Sequence, residues 1–126
     1  MRYLLDTTLL IDHANGYPPA VALLQQLFEQ GGELFSCDVV TCEALSGGTD
    51  EHLATVRQLL EPLEYVSTSS RAAAVAGESR LQRRRAGGKL GLGDALIGAV
   101  ALDIGAAVVT RNRPDCARQG VPVLTY

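Results

Sequence analysis

Aromatic residues are scarce in this chain, at 5% of 126 residues with no tryptophan, which leaves little material for recognition by ring stacking. Its three cysteines, Cys37, Cys42 and Cys116, are an odd number without a CxxC spacing. That pattern excludes a disulfide framework and a cysteine-rich zinc site, and fits a chain kept in a reducing cytosol. All three are expected to be small, partly buried core residues. The two histidines, His13 and His52, sit in polar helical contexts without ligand spacing and read as surface residues. No run approaches the ~18 uninterrupted apolar residues that a membrane span needs. The N-terminus carries one arginine and then an acid inside its apolar run, which argues against a signal peptide. What remains is an apolar share of 47% with 20% charged residues, the composition of one globular domain over residues 1–126 with a core of its own.

The net charge of -3 conceals an asymmetry. Residues 1–70 carry -8 and residues 71–126 carry +5, and five of the eleven basic residues lie between Arg80 and Lys89. Such a strip could hold a polyanion near an acidic site, and a solvated helix face would look the same. Strand-like and helix-like segments alternate along the chain. Strands are expected at residues 2–5, 34–37, 64–66, 106–109 and 121–124. Helices are expected over 7–14, 18–30, 39–45, 51–63, 70–86 and 94–103, with a single helical turn at 115–119. The starts are signalled by Pro18-Pro19, Asp38, Thr49-Asp50 and Ser69 or Ser70. Strands separated by helices imply a mainly parallel sheet, and hence a three-layer α/β/α sandwich. The 94–103 helix is apolar on nearly every side and is expected to be central.

Four acids stand apart from this pattern. Asp6 is sealed within Tyr3-Leu4-Leu5-Asp6-Thr7-Thr8-Leu9-Leu10-Ile11, just past the first strand. A carboxylate there is costly to desolvate without a partner, and a metal ion is one such partner. Helix capping is the simpler reading of Asp6 taken alone. Glu43 is the only charge in Val39–Leu45, Asp94 opens the buried helix, and Asp115 follows the fourth strand by a short polar turn. Each alone reads as a cap or as a favourable charge at a helix N-terminus. Together, parallel topology can bring all four to one sheet edge, where they would repel unless cations bound them. Hard oxygen donors select Mg²⁺ or Mn²⁺, and such a site suits phosphodiester hydrolysis by metal-activated water.

At these residues the sequence resembles the PIN domain, and more narrowly the VapC-type toxins of bacterial toxin–antitoxin pairs. The resemblance rests on Leu4-Leu5-Asp6-Thr7-Thr8-Leu9-Leu10-Ile11-Asp12, the isolated Glu43, Asp94-Ala95-Leu96-Ile97-Gly98-Ala99, and Val109-Thr110-Arg111-Asn112 followed by Asp115. It spans essentially the whole chain, in order. It implies a Mg²⁺- or Mn²⁺-dependent endoribonuclease of the cytoplasm, homodimeric and silenced by a VapB-like antitoxin. Asp6, Glu43 and Asp94 match the three most constant acids of the family, and Asp115 the more variable fourth. Asn112 matches a polar position that would hold water or phosphate. Thr7 or Thr8 would hydrogen-bond Asp6 or a metal-bound water. Three positions depart from the pattern: Thr8 replaces a Ser or Asn, Gly98 an Ala, and Cys116 an aromatic residue.

Other features carry less. Asp12 lies six residues beyond Asp6, about 600° around a helix, so it faces ~120° away and reads as solvated or interface-forming. Arg80, Arg83, Arg84 and Arg85 are open to RNA backbone, to an acidic antitoxin segment or to solvent alone. Gly87-Gly88-Lys89 is followed by Leu90 and has no strand before it, so it is not a phosphate loop. The helices at 18–31 and 51–63 carry more leucine than a small domain easily covers, which points to a dimer or antitoxin surface. A phosphatase with Asp6 as nucleophile would want a second Asp at position 8, where Thr8 stands. A response-regulator-like module would want a lysine near its end, and the only lysine is Lys89. Four intact acids also disfavour a PIN scaffold retained only for binding.

Overall fold

The structure, a computed structural model, describes residues 1–111, 114 and 119–126. In chain order these residues form β1 (Arg2–Leu5), α1 (Thr7–Ala14), α2 (Pro18–Glu29), β2 (Glu33–Cys37), α3 (Asp38–Ala44), α4 (Asp50–Leu60), β3 (Glu64–Val66), α5 (Ser70–Arg85), α6 (Leu92–Ile104), β4 (Ala107–Val109) and β5 (Val123–Leu124). The strands pair in the order β3-β2-β1-β4-β5, every pairing parallel. Helices α1, α2 and α4 pack together, α5 packs along α6, and α3 touches both α1 and α6. This is the expected three-layer α/β/α sandwich.

The sheet is wound from β1 outward to β2 and β3, and the chain then crosses back to add β4 on the other side of β1. The winding therefore reverses between β1 and β4, and a ligand crevice in such a sheet opens at the carboxyl ends flanking that point. Leu5 pairs in register with Val109. The residues that follow, Asp6 and Thr110, consequently leave the sheet side by side. Beneath them Leu4, Leu5, Leu9, Leu10, Val108 and Val109 are fully buried. Each buried leucine contributes about 2 kcal/mol through lost water contact. The central helix is α6, as its sequence implies, with Ala95, Ile97 and Gly98 through Ala101 in the core. Gly105 closes it in the left-handed conformation (φ 67°), and the Ala106 N–H returns to the Ala101 carbonyl.

The structure corrects several readings of individual residues. Asp38 does not cap α3: Cys37 holds that position, and Asp38 Oδ1 instead accepts from Val39 N, Thr68 N and Thr68 Oγ1, tying α3 to the segment after β3. Burial pushes the Cys37 thiol up, leaving it inert, whereas Cys42 is exposed rather than part of the core. His13 is not a free surface residue, since its Nδ1 is buried without a hydrogen-bond partner. Gly98 has a structural reason: a Cβ there would lie 2.3 Å from Gln119 Oε1, and the Gln119 amide lies against it to donate to the Ala95 carbonyl. The 18–31 and 51–63 segments bury some of their apolar residues and leave others in water, with Phe28 exposed and Leu23 partly so. Leu24, Leu27, Val56 and Leu63 are buried, and Leu53, Leu59 and Leu60 are partly so. The last strand is confined to Val123–Leu124, and the helical turn expected at 115–119 lies largely outside the described residues.

Asp12 is the largest correction. It is buried rather than solvated. Arg111 approaches it with Nε 2.9 Å from Oδ2 and Nη2 3.2 Å from Oδ1, and the Tyr126 hydroxyl donates to Oδ2 at 2.6 Å. Burial, and then the bond to Asp12, push the Tyr126 phenol well above its ordinary value. Because the folded-state pKa is the raised one, the stabilisation from this bond is complete below about pH 10 and is lost as pH rises further. Tyr126→Phe should lower stability at neutral pH by about 2 kcal/mol, the scale of a hydrogen bond to a charged group. It should also remove the latest phase of a tyrosine absorbance titration. A titration identical to that of the unsubstituted protein would contradict the assignment.

Candidate metal centre

Asp6 occupies the N-cap position of α1, with its carbonyl accepting from Leu9 N and Leu10 N, but its carboxylate makes no capping bond. The side chain is employed elsewhere. Its Oδ2 accepts from Thr8 Oγ1 at 3.0 Å and from Thr110 Oγ1 at 2.6 Å, and the two hydroxyls are 3.4 Å apart. Oδ1 receives no hydrogen bond among the described residues. A carboxylate 6% exposed, with both protein donors on one oxygen, retains an uncompensated charge at the other. The backbone holds the position as well, since Asp6 N donates to the Val109 carbonyl at 3.0 Å.

Glu43 and Asp94 come to the same edge through the first turn of α6. Glu43 projects from α3, and Thr7 Oγ1 donates to its Oε1 at 2.8 Å, so consecutive residues of α1 support two acids. A Cβ on Gly93 would lie 2.5 Å from Glu43 Oε2: the carboxylate rests on the face of α6 that this glycine leaves bare. A Cβ on Gly91, the N-cap of α6, would lie 3.7 Å from Asp94 Oδ2, so Asp94 folds back over the start of its own helix. Each of the two glycines thus sits beneath one of the acids. An open groove of about 370 Å³ between α3 and α6, walled by Val39, Cys42, Leu92 and Leu96, gives access from the Glu43 side.

Thr7 and Thr8 hold Glu43 and Asp6 beside one another, and Glu43 rests on the turn of α6 that carries Asp94, but the three acids are not drawn into a single cluster. Among the described residues, no three Asp, Glu, His or Cys side chains stand close enough to hold one ion. Like charges in this arrangement stay apart unless a cation draws them in. The donor chemistry fits a hard divalent cation: three carboxylates flanked by threonine hydroxyls, with no imidazole at the edge. Of the other expected site residues, Asp115 and Asn112 lie outside the described residues. Thr7 and Thr8 both have supporting roles, with Thr8 on Asp6 and Thr7 on Glu43. Sequence reasoning missed Thr110, Gly91 and Gly93. Thr110 was legible in principle, because a hydroxyl one residue past a strand adjacent to β1 falls opposite Asp6. Arg80, Arg83, Arg84 and Arg85 are on the last turns of α5, close in sequence to Asp94.

A parallel sheet with acids at its switch point and hydroxyl-held carboxylates defines a class of acid-centred α/β hydrolytic domains. The comparisons with known proteins narrow it. The PIN-domain family model matches residues 3–114. Ribonuclease VapC19 of Mycobacterium tuberculosis is 32% identical over 111 residues, covering 86% of this chain and 87% of that one. The chain belongs to the PIN-domain family, a family of nucleases, and has VapC ribonucleases among its relatives. Among solved structures it superposes on VapBC2 from Rickettsia felis bound to a promoter DNA fragment, with a TM-score of 0.85 and 22% identity over 100% of this chain and 99% of that one. A toxin–antitoxin complex from Klebsiella pneumoniae matches at a TM-score of 0.75 and 27% identity, covering 98% and 96%.

Two substitutions test how the site is held. Thr110→Val keeps the shape and removes a donor from buried Asp6, and should cost about 2 kcal/mol in denaturant unfolding. Gly93→Ala should leave stability unchanged or slightly raised, since alanine favours a helix. It should nonetheless lower nuclease activity on the order of tenfold or more by displacing the Glu43 carboxylate. Unaltered activity in a stable Gly93→Ala protein would remove Glu43 from the site.

Proposed function

We propose that the chain is a Mg²⁺- or Mn²⁺-dependent endoribonuclease, the toxin of a VapBC-type pair, with Asp6 and Asp94 as principal metal ligands and Glu43 and Asp115 completing the site. The observation that carries this reading is the state of Asp6. It is buried at the switch point, its carboxylate makes no capping bond, and among the described residues one of its oxygens has no donor. Relatives named as ribonucleases and neighbours solved as toxin–antitoxin complexes support the RNA substrate and the antitoxin partner. The homodimer follows from the family resemblance. Among the described residues no helix is long and apolar enough to cross a membrane.

The bound metal would supply a water acidic enough to act as nucleophile at neutral pH and stabilise the charge on the departing oxygen. The protein's own contribution is placement. Thr8 and Thr110 fix the Asp6 carboxylate, Thr7 fixes Glu43, and the start of α6 presents Asp94 on the same side. Asn112 would hold a water or a phosphate oxygen beside Asp115. In-line attack by water needs no protein nucleophile. Thr8 in place of a second aspartate also leaves the phosphatase alternative without its acid.

Asp6→Asn retains an oxygen for the two hydroxyls and should fold normally by circular dichroism. RNA cleavage should fall by more than about a hundredfold, beyond what loss of a supporting bond to a metal ligand costs. Chelation of divalent ions should abolish cleavage by the unsubstituted protein, and Mg²⁺ or Mn²⁺ should restore it. Full activity of Asp6→Asn with Mg²⁺ present would refute the assignment.

A further inference from the structure

The basic strip of α5 is not one surface. Arg80 and Arg84, one helical turn apart, line a pocket of about 250 Å³ together with Gly88, Lys89 and Leu90. Arg83 lines a separate cavity with Ser79, Gln82 and Gln119. The first pocket is built rather than incidental. Arg80 Nε donates to the Leu90 carbonyl at 3.1 Å, which pins the guanidinium to the loop entering α6. Gly87 turns that loop with φ 82°, and Gly88 N donates to the Arg83 carbonyl at 2.8 Å.

Three cations thus face one small space. Arg80, Arg84 and Lys89 have no carboxylate partner among the described residues, and Glu78 is the only acid on α5. Like charges four residues apart weaken a helix, so the Arg80–Arg84 pair is a standing electrostatic cost that an anion would relieve. The pocket also adjoins the acids. Lys89 is two residues from Gly91, over which Asp94 folds, so their Cα atoms are at most ~7.6 Å apart. An RNA strand placing one phosphate among carboxylates must place its neighbours nearby, where cations offset the repulsion.

We propose that Arg80, Arg84 and Lys89 form a subsite for a phosphate of the RNA strand that is not cleaved, one that holds the strand in register with the acidic edge. The inference rests on the nuclease reading and adds to it a binding site on the α5–α6 loop. A phosphodiester suits the site because its two non-bridging oxygens share one negative charge and can accept together from the guanidinium groups and the ammonium.

The test uses the full chain carrying Asp6→Asn, so that RNA is bound without turnover, and a fluorescein-labelled single-stranded RNA of mixed sequence. Affinity is measured by anisotropy across a salt series. Arg84→Gln and Lys89→Gln, singly or together, should weaken binding several-fold at low salt. They should also make the slope of log K against log salt shallower by about 0.7, the loss of one phosphate contact on a single strand. Arg57→Gln, an exposed charge on α4, controls for net charge and should leave the slope unchanged. Arg80 is kept because it supports the loop. Unchanged affinity and slope in the Arg84 and Lys89 variants, with cleavage by the unsubstituted protein intact, would overturn the subsite alone. Absence of cleavage in the unsubstituted protein would overturn both readings. If polyglutamate binds as tightly as RNA and loses as much affinity in the variants, the pocket reads an acidic protein segment instead, and the RNA assignment falls.

Discussion

A single buried carboxylate organises this molecule. Asp6 leaves the central strand at the point where the winding of the sheet reverses, and Thr110 leaves the neighbouring strand beside it. The parallel register makes that juxtaposition unavoidable, so the threonine hydroxyl is delivered to the acid by the sheet itself. Two hydroxyls satisfy hydrogen-bonding capacity at Oδ2 without neutralising charge. The N-terminus of α1 adds a favourable dipole but only a partial positive charge. What is left is a buried negative charge with one oxygen that no described residue donates to, and in a crevice of this topology a cation is the partner that fits both the charge and the place.

The far end of the same helix is fixed by an analogous device. Thr110 and Arg111 are consecutive, and they bind the two acids of α1: Thr110 takes Asp6 and Arg111 takes Asp12, with Tyr126 closing over Asp12 from the chain's last residue. The segment leaving β4 is thereby clipped to α1 at two points before it reaches position 112. Asn112 and Asp115 follow within four residues of that clip. Asp12 is thus not an idle aspartate: it is the anchor point of the segment that also binds Asp6. Asp12 holds the start of the segment after β4 through Arg111, and a buried, hydrogen-bonded carboxylate is suited to that mechanical role.

Much of this was legible in the sequence where local rules govern. The first strand and helix, the central α6, and the Thr49 and Ser69 caps follow from apolar spacing and side-chain capping chemistry, and the structure bears them out. The acids Asp6, Glu43 and Asp94 were legible because each is a charge where apolar spacing predicts none. The misreadings share a cause, in that they depend on partners distant in sequence. Asp12 is buried by a tyrosine 114 residues away, Asp38 is drawn from capping by Thr68, and Gly98 is explained only by Gln119. Helical rotation alone set Asp12 apart from Asp6, and nothing local could say that Arg111 and Tyr126 would bury it beside the segment that also binds Asp6.

The glycines around the start of α6 show how the charge asymmetry of the chain becomes an arrangement in space. The acid-rich first half contributes Asp6 and Glu43, and the basic second half contributes Asp94 together with the cations of α5 and Lys89. Glu43, Asp94 and the cations around Lys89 meet along the six residues from Lys89 to Asp94. Gly91 and Gly93 lie beneath Asp94 and Glu43, so the helix start can accept two carboxylates without steric resistance, while Lys89 two residues upstream faces Arg80 and Arg84. A polyanion approaching an acidic edge is repelled until metal ions and cations together reverse the local field, and neither set alone has the reach to do so. A pocket of three cations held within two residues of the acid-bearing turn supplies the fixed part of that reversal. On the proposed reading a divalent ion would supply the rest, and strand binding and metal binding would be coupled through one short loop.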